Sequence, residues 1–411
     1  MNICILSKKN LLVHPIHNWI PRESNYFHLI TVPNQQGDLK FYQTKTFLKN
    51  YDTNEALFSY VINLHKKFPL DRIISLSECD VLRAARLRKY LNIPGQKTES
   101  AIVYRDKLLM KKKIAEAGIN VAKFSALRNP IDLLKFKEKN GFPFVIKPRF
   151  GTGSEGVKII YNDSMLYEFL ENHFSNCTDQ NAFMMMENFI EGKMYHVDGY
   201  IIDGKPVETR VSEYVNSCLG VSEGKSLGSI MLDIDSEIGK RLSKITNSIV
   251  EYFPKIDFGC SFHAEFFVTD SKDTFFFNEI ACRTGGARIS KAFELCTGIN
   301  LNRASVLAQM GLYDLLKKKK PPKRKSVGWM IYPPVKGTLL DIPHSIPFAY
   351  ILDYSSTKKI GIRHESAKLA NQNIAGYTVF GDNYNHVKER LCEADKWMKS
   401  RVIWDINNPS F

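Results

Sequence analysis

The chain has 411 residues, 44% of them hydrophobic and 24% charged, with a formal net charge of +14. This length exceeds one typical hydrophobic core, so two or three globular domains are expected. No run of about 18 apolar residues occurs, which excludes a membrane-spanning helix. The eight cysteines form no Cys-x-x-Cys pair, which argues against a zinc site or a disulfide framework.

The compartment follows from the cysteines and the first residues. Scattered free thiols are typical of the reducing cytoplasm. The apolar residues 2–6 precede the first lysines, the reverse of the order in a secretory signal. We therefore expect a cytoplasmic protein whose first element is a strand.

Half of the excess positive charge lies in one short segment. Seven basic residues occur within residues 317–325, around Pro321-Pro322. A nucleic-acid-binding face would instead spread basic residues over a surface and interleave them with aromatics. We expect a linker here, no nucleic-acid partner and no membrane partner, while a polyanionic substrate or an acidic protein partner suits the charge.

Residues 1–100 alternate strand and helix patterns. Strands are predicted at 2–6, 27–32 and 72–76, and helices at 54–68 and 80–91. This alternation predicts a doubly wound parallel sheet. No Gly-x-Gly-x-x-Gly follows the first strand, so the fingerprint of a dinucleotide site is absent.

A second α/β unit is expected over residues 101–206, beginning with a helix at 107–117. Inside it, the apolar strand 142–148 ends with Lys147 and runs into the glycine-rich residues 151–157. Glycines let the backbone turn tightly and present N–H groups to phosphate oxygens, and a nearby lysine suits the same ligand. A simple hairpin turn is the alternative. Another strand, a hinge and a further strand follow over 182–202.

Residues 207–316 are expected to carry the chemistry. Residues 216–229 are long for a connection and predict a mobile substrate loop, and helices are predicted at 233–253, 287–298 and 302–316. Two apolar runs flank the polar turn 270–273 and predict a β-hairpin. With a three-residue loop, Glu265 and Glu279 would face each other across the hairpin. Like charges at that spacing are unfavourable unless a cation such as Mg²⁺ neutralises them, although a solvated face with two chance acids is the alternative.

The last module, residues 326–411, is expected to be mostly β-structure. Strands are predicted at 327–332, 348–352 and 377–381, with a closing helix at 385–398. The predicted division is therefore 1–100, 101–206, 207–316, the linker 317–325 and 326–411.

Taken in order, these segments resemble the ATP-grasp superfamily, and within it the L-amino-acid ligases and other carboxylate–amine ligases. The resemblance covers nearly the whole chain. It depends on the segments Glu78…Pro94-Gly95, Arg105-Asp106-Lys107, Val145-Ile146-Lys147-Pro148, the glycine-rich loop, residues 186–192, His263-Ala264-Glu265 and residues 278–286.

The resemblance implies a two-lobed ATP-grasp centre after the N-terminal sheet. It also implies a reaction in which ATP converts a carboxylate into an acyl phosphate that an amine then attacks. Implied ligands of ATP are Lys107, Lys147, Gly153, Ser154, Gly156, Glu187, Asn188, Phe189 and Ile190. Glu265 and Glu279 would bind Mg²⁺, or Mn²⁺ in its place.

Two arginines and one further acid complete the implied site. Arg283, with Lys147, is the catalytic candidate because a fixed cation stabilises charge on a transferring phosphoryl group. Arg288 and Arg283 are candidates for the substrate carboxylate, and Glu213 for a substrate amino group. His196, Asp198 and His263 are interpreted as residues that hydrogen-bond within the strands.

The sequence departs from the family pattern at two positions. Met194 stands where many relatives carry a ribose-binding glutamate, for which Glu191 could substitute. Ala281 stands where many relatives carry a metal-binding asparagine. Asn278 is expected to point to the opposite face by strand alternation, so a third metal ligand is left open.

Three functions are weighed. The first is an ATP- and Mg²⁺-dependent ligase that joins an amino-acid carboxylate to an amine, as a monomer or a homodimer. The second charges an amino acid onto the thiol of an acidic carrier protein, which the basic chain would attract. The third is a nucleotide-binding module without catalysis, which would not need Arg283.

Overall fold

The computed structural model describes residues 1–175, 183–269, 274–316, 326–357 and 359–406. The basic segment 317–325 and the predicted turn 270–273 lie outside the described residues. None of the helices in the described part of the chain has the length and hydropathy needed to span a bilayer.

The N-terminal module is a parallel sheet with helices packed around it. Its strands are β1 (Asn2–Leu6), β2 (Tyr26–Thr31), β3 (Tyr42–Phe47) and β4 (Arg72–Ser75), in the order β3-β2-β1-β4. Its helices are α1 (Ile16–Trp19), α2 (Ala56–Lys67) and α3 (Glu78–Leu91). Ile3 and Ile5 enter one hydrophobic cluster while Cys4 and Leu6 enter another, so both faces of the sheet are buried. The predicted doubly wound sheet is confirmed.

A small antiparallel sheet follows two helices. The helices are α4 (Thr98–Val103) and α5 (Lys107–Glu116). The strands are β5 (Phe124–Leu127), β6 (Phe144–Pro148), β7 (Lys158–Ile160) and β8 (Met184–Asn188), in the order β5-β8-β6-β7, with helices α6 (Pro130–Asn140) and α7 (Asp163–Phe174). Asp106 begins α5 as its N-cap, accepting hydrogen bonds from the amides of Leu108 and Leu109. The cap fixes the direction in which Lys107 leaves the helix start.

The glycine-rich residues 149–157 connect β6 to its antiparallel neighbour β7. The two interpretations of this segment are therefore compatible, because a hairpin connection can also present its backbone to a ligand.

An eight-stranded sheet forms the centre of the described residues. Its strands are β9 (Lys193–Ile202), β10 (Lys205–Tyr214), β11 (Leu227–Met231), β12 (Gly259–Thr269), β13 (Thr274–Ala281), β14 (Ser326–Tyr332), β16 (Ile351–Ser356) and β18 (Ala375–Gly381). The order is β13-β12-β9-β10-β11-β14-β18-β16. Helices α8 (Glu237–Tyr252), α9 (Ile289–Thr297), α10 (Leu301–Met310) and α11 (Tyr384–Lys399) accompany it.

This sheet crosses the predicted domain limits. β9 pairs with β10 and β12, and β14 pairs with β11, so strands of three predicted segments share one sheet. Three short strands, β15 (Gly337–Asp341), β17 (Arg363–His364) and β19 (Ile403–Asp405), form a separate C-terminal sheet. The five-part division of the chain stays a prediction.

The predicted substrate loop 216–229 is shorter than expected. Residues Cys218–Glu223 form a 3₁₀ helix, and Leu227–Met231 is the fully buried strand β11. The prediction of a long loop was wrong at its C-terminal end. Gly228 and Ser229 are residue types typical of loops, but here they lie in a strand whose other residues are Leu227, Ile230 and Met231.

The hairpin of β12 and β13 contains a β-bulge. Thr269 pairs with Thr274 and Phe266 with Phe277, but the next pair is Glu265 with Glu279. The turn is thus one residue longer than the three assumed, and Asn278 is the extra residue that restores the pairing of the two glutamates. The predicted pairing is confirmed, although the reasoning that led to it was incomplete.

Candidate active site

A cleft of about 1860 Å³ lies where the N-terminal, small and large sheets meet the C-terminal module. It brings together most of the residues predicted from the sequence. Those in its lining are Lys107, Lys147, Gly153, Ser154, Glu187, Asn188, Phe189, Ile190, Glu213, Glu265, Glu279 and Arg283. Gly156 and Arg288 are not in that lining.

Two lysines share one buried carboxylate at the deep end of the cleft. The Glu187 Oε1 lies 2.6 Å from Lys147 Nζ, and Oε2 lies 3.0 Å from Lys111 Nζ. Burial alone would raise the pKa of Glu187, but the charges of Lys111 and Lys147 outweigh it and lower that pKa to about 2. Glu187 is therefore ionised and occupied by lysines, rather than free for the edge of a base.

Lys111 is a member of this site that the sequence reasoning missed. Its side chain is 1% exposed, and its ammonium also donates to the carbonyl of Phe277 at 3.2 Å. Burial lowers the pKa of Lys111 to about 8 despite the opposing charge of Glu187. The spacing could have found it, since Lys111 stands four residues after Lys107 on α5 and residues so spaced share a helix face.

Lys107 contacts both the glycine-rich loop, which is predicted to bind phosphates, and Glu279, which is predicted to bind the metal. Its ammonium lies 3.0 Å from Glu279 Oε2 and donates to the carbonyl of Gly151 at 2.7 Å. Burial would raise the pKa of Glu279, but the charges of Lys107 and Lys147 lower it to about 2. One ammonium thus connects the hairpin to the glycine-rich loop.

The glycine-rich loop has the backbone that its composition predicts. Gly153, Ser154 and Gly156 have φ of +62°, +63° and +69°, in the left-handed region. A Cβ at Gly156 would lie 2.9 Å from Pro148 Cγ, so this glycine permits close packing within the loop. The carbonyl of Gly153 accepts a hydrogen bond from the amide of Ala370 at 3.0 Å, which joins the loop to the C-terminal module.

The hinge after β8 contains backbone amides that are already hydrogen-bonded and one buried side-chain oxygen that has no partner among the described residues. The amides of Asn188 and Phe189 donate to the carbonyls of Lys123 and Pro143 at 2.9 and 3.3 Å. The Oδ1 of Asn188 is buried without a hydrogen-bond partner among the described residues. Glu191 and Met194 both line the cleft nearby.

Asn278 faces the same side as the two glutamates. Its Nδ2 donates to Glu265 Oε2 at 3.1 Å, and its Oδ1 accepts from Lys147 Nζ at 3.1 Å. The prediction that Asn278 points away was wrong because the bulge interrupts the alternation of faces. Ala281, by contrast, is buried in the hairpin and is not among the residues that line the cleft.

A chain of buried polar groups stands behind Glu265. His263 Nε2 lies 3.3 Å from Glu265 Oε1, and His263 Nδ1 lies 2.9 Å from Asp198 Oδ1. The other Asp198 oxygen lies 2.5 Å from His196 Nδ1. Burial would lower the pKa of His263, but Asp198 and then Glu265 raise it to about 10. His263 is therefore a cation that holds the Glu265 carboxylate in place.

Arg283 follows the end of β13 and contacts the N-terminal module. Its Nε donates to Glu78 Oε2 at 2.5 Å, and its Nη1 donates to the carbonyl of Thr284 at 3.0 Å. Arg105 pairs with the other oxygen of Glu78. Burial would lower the pKa of Arg283, but Glu78 and Glu279 raise it. The guanidinium is thus charged and oriented by one carboxylate.

The remaining two candidates have other partners. Arg288 pairs with Asp353 at 2.5 Å and also donates to Gly376 O and Ser355 Oγ, outside the cleft lining. These partners fix the C-terminal strands, so we leave Arg288 out of the proposed substrate site. Glu213 lines the cleft and accepts from Tyr195 Oη at 2.9 Å; its contact with a substrate amine stays a prediction.

The residues fit a magnesium ion and a nucleotide. Glu265, Glu279 and Asn278 offer only oxygen and amide groups, and carboxylate oxygens are the ligands that Mg²⁺ prefers. Lys107, Lys147 and the glycine-rich backbone supply charges and N–H groups suited to phosphates. The unpartnered Asn188 Oδ1 is an acceptor that an amino group of a base would satisfy. A cleft so built between a small antiparallel sheet and a carboxylate-bearing hairpin defines an ATP-grasp protein.

Comparison with known proteins gives the same class. The model of the carbamoyl-phosphate synthase L chain ATP-binding domain matches residues 106–313, a little over half of the chain. The chain therefore belongs to this family of the ATP-grasp superfamily.

Relatives and solved structures agree with that assignment. The chain is 29% identical over 284 residues to an L-arginine-specific L-amino acid ligase of Bacillus subtilis, covering 68% of this chain and 67% of the relative. It is 25% identical over 275 residues to an N5-carboxyaminoimidazole ribonucleotide synthase of Staphylococcus epidermidis, covering 64% and 65%. The fold matches the crystal structure of an L-amino acid ligase from Bacillus licheniformis with a TM-score of 0.75 and 18% identity, over 98% of each chain.

Proposed function

We propose that this ATP-dependent ligase activates the carboxylate of an amino acid as an acyl phosphate and transfers the acyl group to an amine. ADP and phosphate are the other products. The observation that carries the proposal is the meeting, in one cleft, of the glutamate pair of the hairpin, the lysines Lys107 of α5 and Lys147 of β6, and Arg283. Binding of ATP alone would not require an arginine beside the carboxylates.

The lysines and the glycine-rich loop would bind the nucleotide. Lys107 and Lys147 would place their ammonium groups on phosphate oxygens, and the loop that contains Gly153 and Ser154 would supply backbone donors. The hinge at Asn188 to Ile190 would receive the base. Phosphoryl transfer asks a protein mainly for positioning and charge neutralisation, and this set provides both.

The hairpin residues have the metal role. Glu265 and Glu279 would hold Mg²⁺, with Asn278 as the candidate for a third ligand. Mg²⁺ held by these residues would supply Lewis-acid chemistry, neutralising negative charge on the phosphate that is transferred. Lys107 and Glu279 now neutralise each other at 3.0 Å, so each already has the charge state that binding needs.

Arg283 would stabilise the transition states of both chemical steps. In the first step a carboxylate oxygen attacks the γ-phosphorus while the bond to ADP breaks. In the second, an amine nitrogen attacks the acyl carbon, loses a proton, and phosphate leaves. Both steps develop negative charge on phosphoryl or acyl oxygens, which a guanidinium oriented by Glu78 can stabilise.

Two independent observations support amino acids as the proposed substrates. The L-amino acid ligases among the similar proteins act on them. The cleft also contains Glu213 as well as Arg283, charges of opposite sign that suit the ammonium and carboxylate of such a substrate.

The test is product analysis with pairs of L-amino acids and Mg-ATP. We expect ADP and phosphate in equal amounts, together with a new amide detected by mass. Glu279→Gln is the matched control, expected to fold and to form no product. If AMP and pyrophosphate appeared instead, the acyl-phosphate mechanism would be wrong.

The carrier-protein alternative depends on the net charge of +14. It predicts an acylated carrier thiol and an association that weakens with salt. Intact-mass measurement of an acidic carrier protein after incubation with the ligase, ATP and amino acids would reveal it.

A further inference from the structure

A group of donors without partners lies at the edge of the cleft, on the N-terminal module. Lys9 follows β1, and Ser77 follows β4. These two strands are parallel neighbours, with Leu6 paired to Ser75, so the residues just beyond them lie side by side. Both residues line the cleft. Ligands in open parallel sheets bind beyond the carboxyl ends of the strands.

Ser77 is buried but makes no hydrogen bond with its side chain. It is 4% exposed, and its Oγ lacks a partner among the described residues. Ser77 is also the N-cap of the 14-residue helix α3, yet its side chain does not cap the helix. A buried hydroxyl left unpaired is costly, and such exceptions are uncommon in folded proteins.

The start of α3 adds two backbone donors. The amides of Glu78 and Cys79 have no hydrogen-bond partner in the described ranges, whereas the amide of Asp80 donates to Ser77 O at 3.0 Å. The first amides of a helix carry partial positive charge and bind anions. The Glu78 carboxylate is already neutralised by Arg105 and Arg283.

Lys9 brings a full charge to the same place. Its backbone is fixed, since its amide donates to Ser7 Oγ at 3.2 Å and its carbonyl accepts from Gln35 Nε2 at 3.0 Å. Its ammonium pairs with no carboxylate of the described residues, whereas the neighbouring Lys8 lies 2.6 Å from Asp52. Burial, then the charges of Arg283 and Lys8, lower the pKa of Lys9 to about 8. Lys9 therefore stands in a positive field that a bound anion would relieve.

We propose that Lys9, Ser77 and the first amides of α3 bind the carboxylate of the acceptor substrate, so that the acceptor is itself an amino acid. The inference rests on the proposed function. The carboxylate of the donor must lie at the metal and Arg283 to be phosphorylated, whereas the acceptor carboxylate survives the reaction and needs a separate site. An acceptor held there presents its amine beside Arg283. A carrier thiol would have no use for these donors.

The kinetic test compares free acids with their amides. Glycine, L-alanine, L-leucine and L-phenylalanine, and the carboxamide of each, are offered as acceptors. The wild-type enzyme is expected to prefer the free acid. Lys9→Met should raise the KM of the free acid by about 10- to 100-fold, since a hydrogen bond to a charged group is lost, while kcat and the KM of the amide change little.

Two further variants and one control sharpen the result. Ser77→Ala should give a smaller rise in the same KM, and Lys9→Arg should restore part of the preference for the free acid. Lys66→Met, which removes an exposed lysine of α2 away from the cleft, should behave as wild type. An unchanged preference for the free acid in Lys9→Met would overturn the inference.

A second readout does not need turnover. N-hydroxysuccinimidyl acetate labels lysines, and peptide mass spectrometry follows the labelling rate of Lys9 relative to that of the exposed Lys66 with Mg-ADP present, so that reagent consumed by the amine of the added ligand does not count as protection. Free amino acids should protect Lys9, and their carboxamides should not. Equal protection by both would overturn the inference. Selective protection without phosphate release from any pair would instead retain this site and overturn the proposed function.

Discussion

Charged and polar groups are paired at one end of the cleft and lack partners at the other. At the end near the small sheet, charges are paired: Lys111 and Lys147 share Glu187, and Lys107 pairs with Glu279. At the edge of the N-terminal module, the Lys9 ammonium forms no ion pair and the Ser77 hydroxyl no hydrogen bond with the described residues. The first end is thus neutralised by the protein itself, whereas the second is left for a ligand to complete.

We infer from this difference that the paired residues organise the site and that the residues without partners select the substrate. A buried pair keeps its geometry without a ligand, because separating it would leave a charge in a medium of low dielectric. An unpaired donor contributes little until an anion arrives. Substitutions at the paired end should therefore alter stability, the binding of ATP or the chemical step, while those at the unpaired end should alter the KM of the acceptor.

The largest effect is expected at Glu279. Glu279→Ala removes a carboxylate of the proposed metal position and should lower kcat by about 10³-fold, equivalent to about 4 kcal/mol of transition-state stabilisation. The measurement is phosphate release, with circular dichroism to verify the fold. Retention of more than a tenth of wild-type turnover would assign the metal to other residues and weaken the contrast between the two ends.

The next effect concerns the two lysines that share Glu187. Lys111→Met breaks a fully buried pair and should reduce the free energy of unfolding by about 3 kcal/mol, measured with urea. Lys147→Met should mainly raise the KM for ATP. Lys112→Met, at an exposed position of the same helix, is the control and should change stability by less than about 0.5 kcal/mol. Equal loss of stability in Lys111→Met and Lys147→Met would mean that the two lysines do not divide these roles.

A moderate effect is expected in acid. The native pKa of Glu187 is about 2, below the ordinary value of 4.5, so the unfolded chain takes up this proton first as the pH falls. The stability that Glu187 contributes is present above pH 4.5 and is lost as the pH falls towards 2. Glu187→Gln should be less stable at pH 7 and should lose less stability over that interval.

Glu191→Gln provides the control for the acid experiment, because Glu191 is an exposed carboxylate of the same hinge. Its unfolding free energy should follow the wild-type dependence on pH. If Glu187→Gln also followed the wild-type curve, the buried lysines would not be what holds this carboxyl ionised.

The smallest effect is expected at the contact between the glycine-rich loop and the C-terminal module. Ala370→Pro removes the amide that donates to Gly153 O at 3.0 Å. Loss of one such hydrogen bond, about 1 kcal/mol, should raise the KM for ATP by roughly fivefold. Lys368→Ala, an exposed neighbour that keeps its backbone amide, is the control. No change in Ala370→Pro would show that the C-terminal module does not support the glycine-rich loop.

The paired end could be predicted from the sequence because its residues lie on regular elements. Glu265 and Glu279 lie on two adjacent strands, so the local pattern paired them, whereas the resemblance to the ATP-grasp superfamily implied that Lys147, at the end of a buried strand, belongs to the same site. Lys111 also lies on a regular helix and was overlooked only because the family motif ends at Lys107. The parallel N-terminal sheet was predicted for the same reason.

The unpaired end could not be predicted in the same way. Lys9 and Ser77 lie in loops 68 residues apart in the chain, and only the pairing of β1 with β4 brings them together. Arg288 looked like a carboxylate-binding fork, but its partners Asp353 and Gly376 come from strands more than 60 residues further along. Neither their distance nor their direction can be obtained from local periodicity.

The extra residue at Asn278 has a consequence for chain length. Substitution of Asn278 would alter one amide, whereas its deletion would remove the bulge and leave Glu279 directly opposite Glu265, because the pairs on either side of Asn278 are Phe266 with Phe277 and Glu265 with Glu279. The two glutamates should thus stay paired in either variant, and the loss would be limited to the contacts of Asn278 with Glu265 and Lys147. Lengthening the turn 270–273 by one would leave the paired glutamates where they are, since the pairing beyond Thr269 and Thr274 is already set. The facing arrangement of the two acids is therefore insensitive to a one-residue change of chain length at the bulge or at the turn.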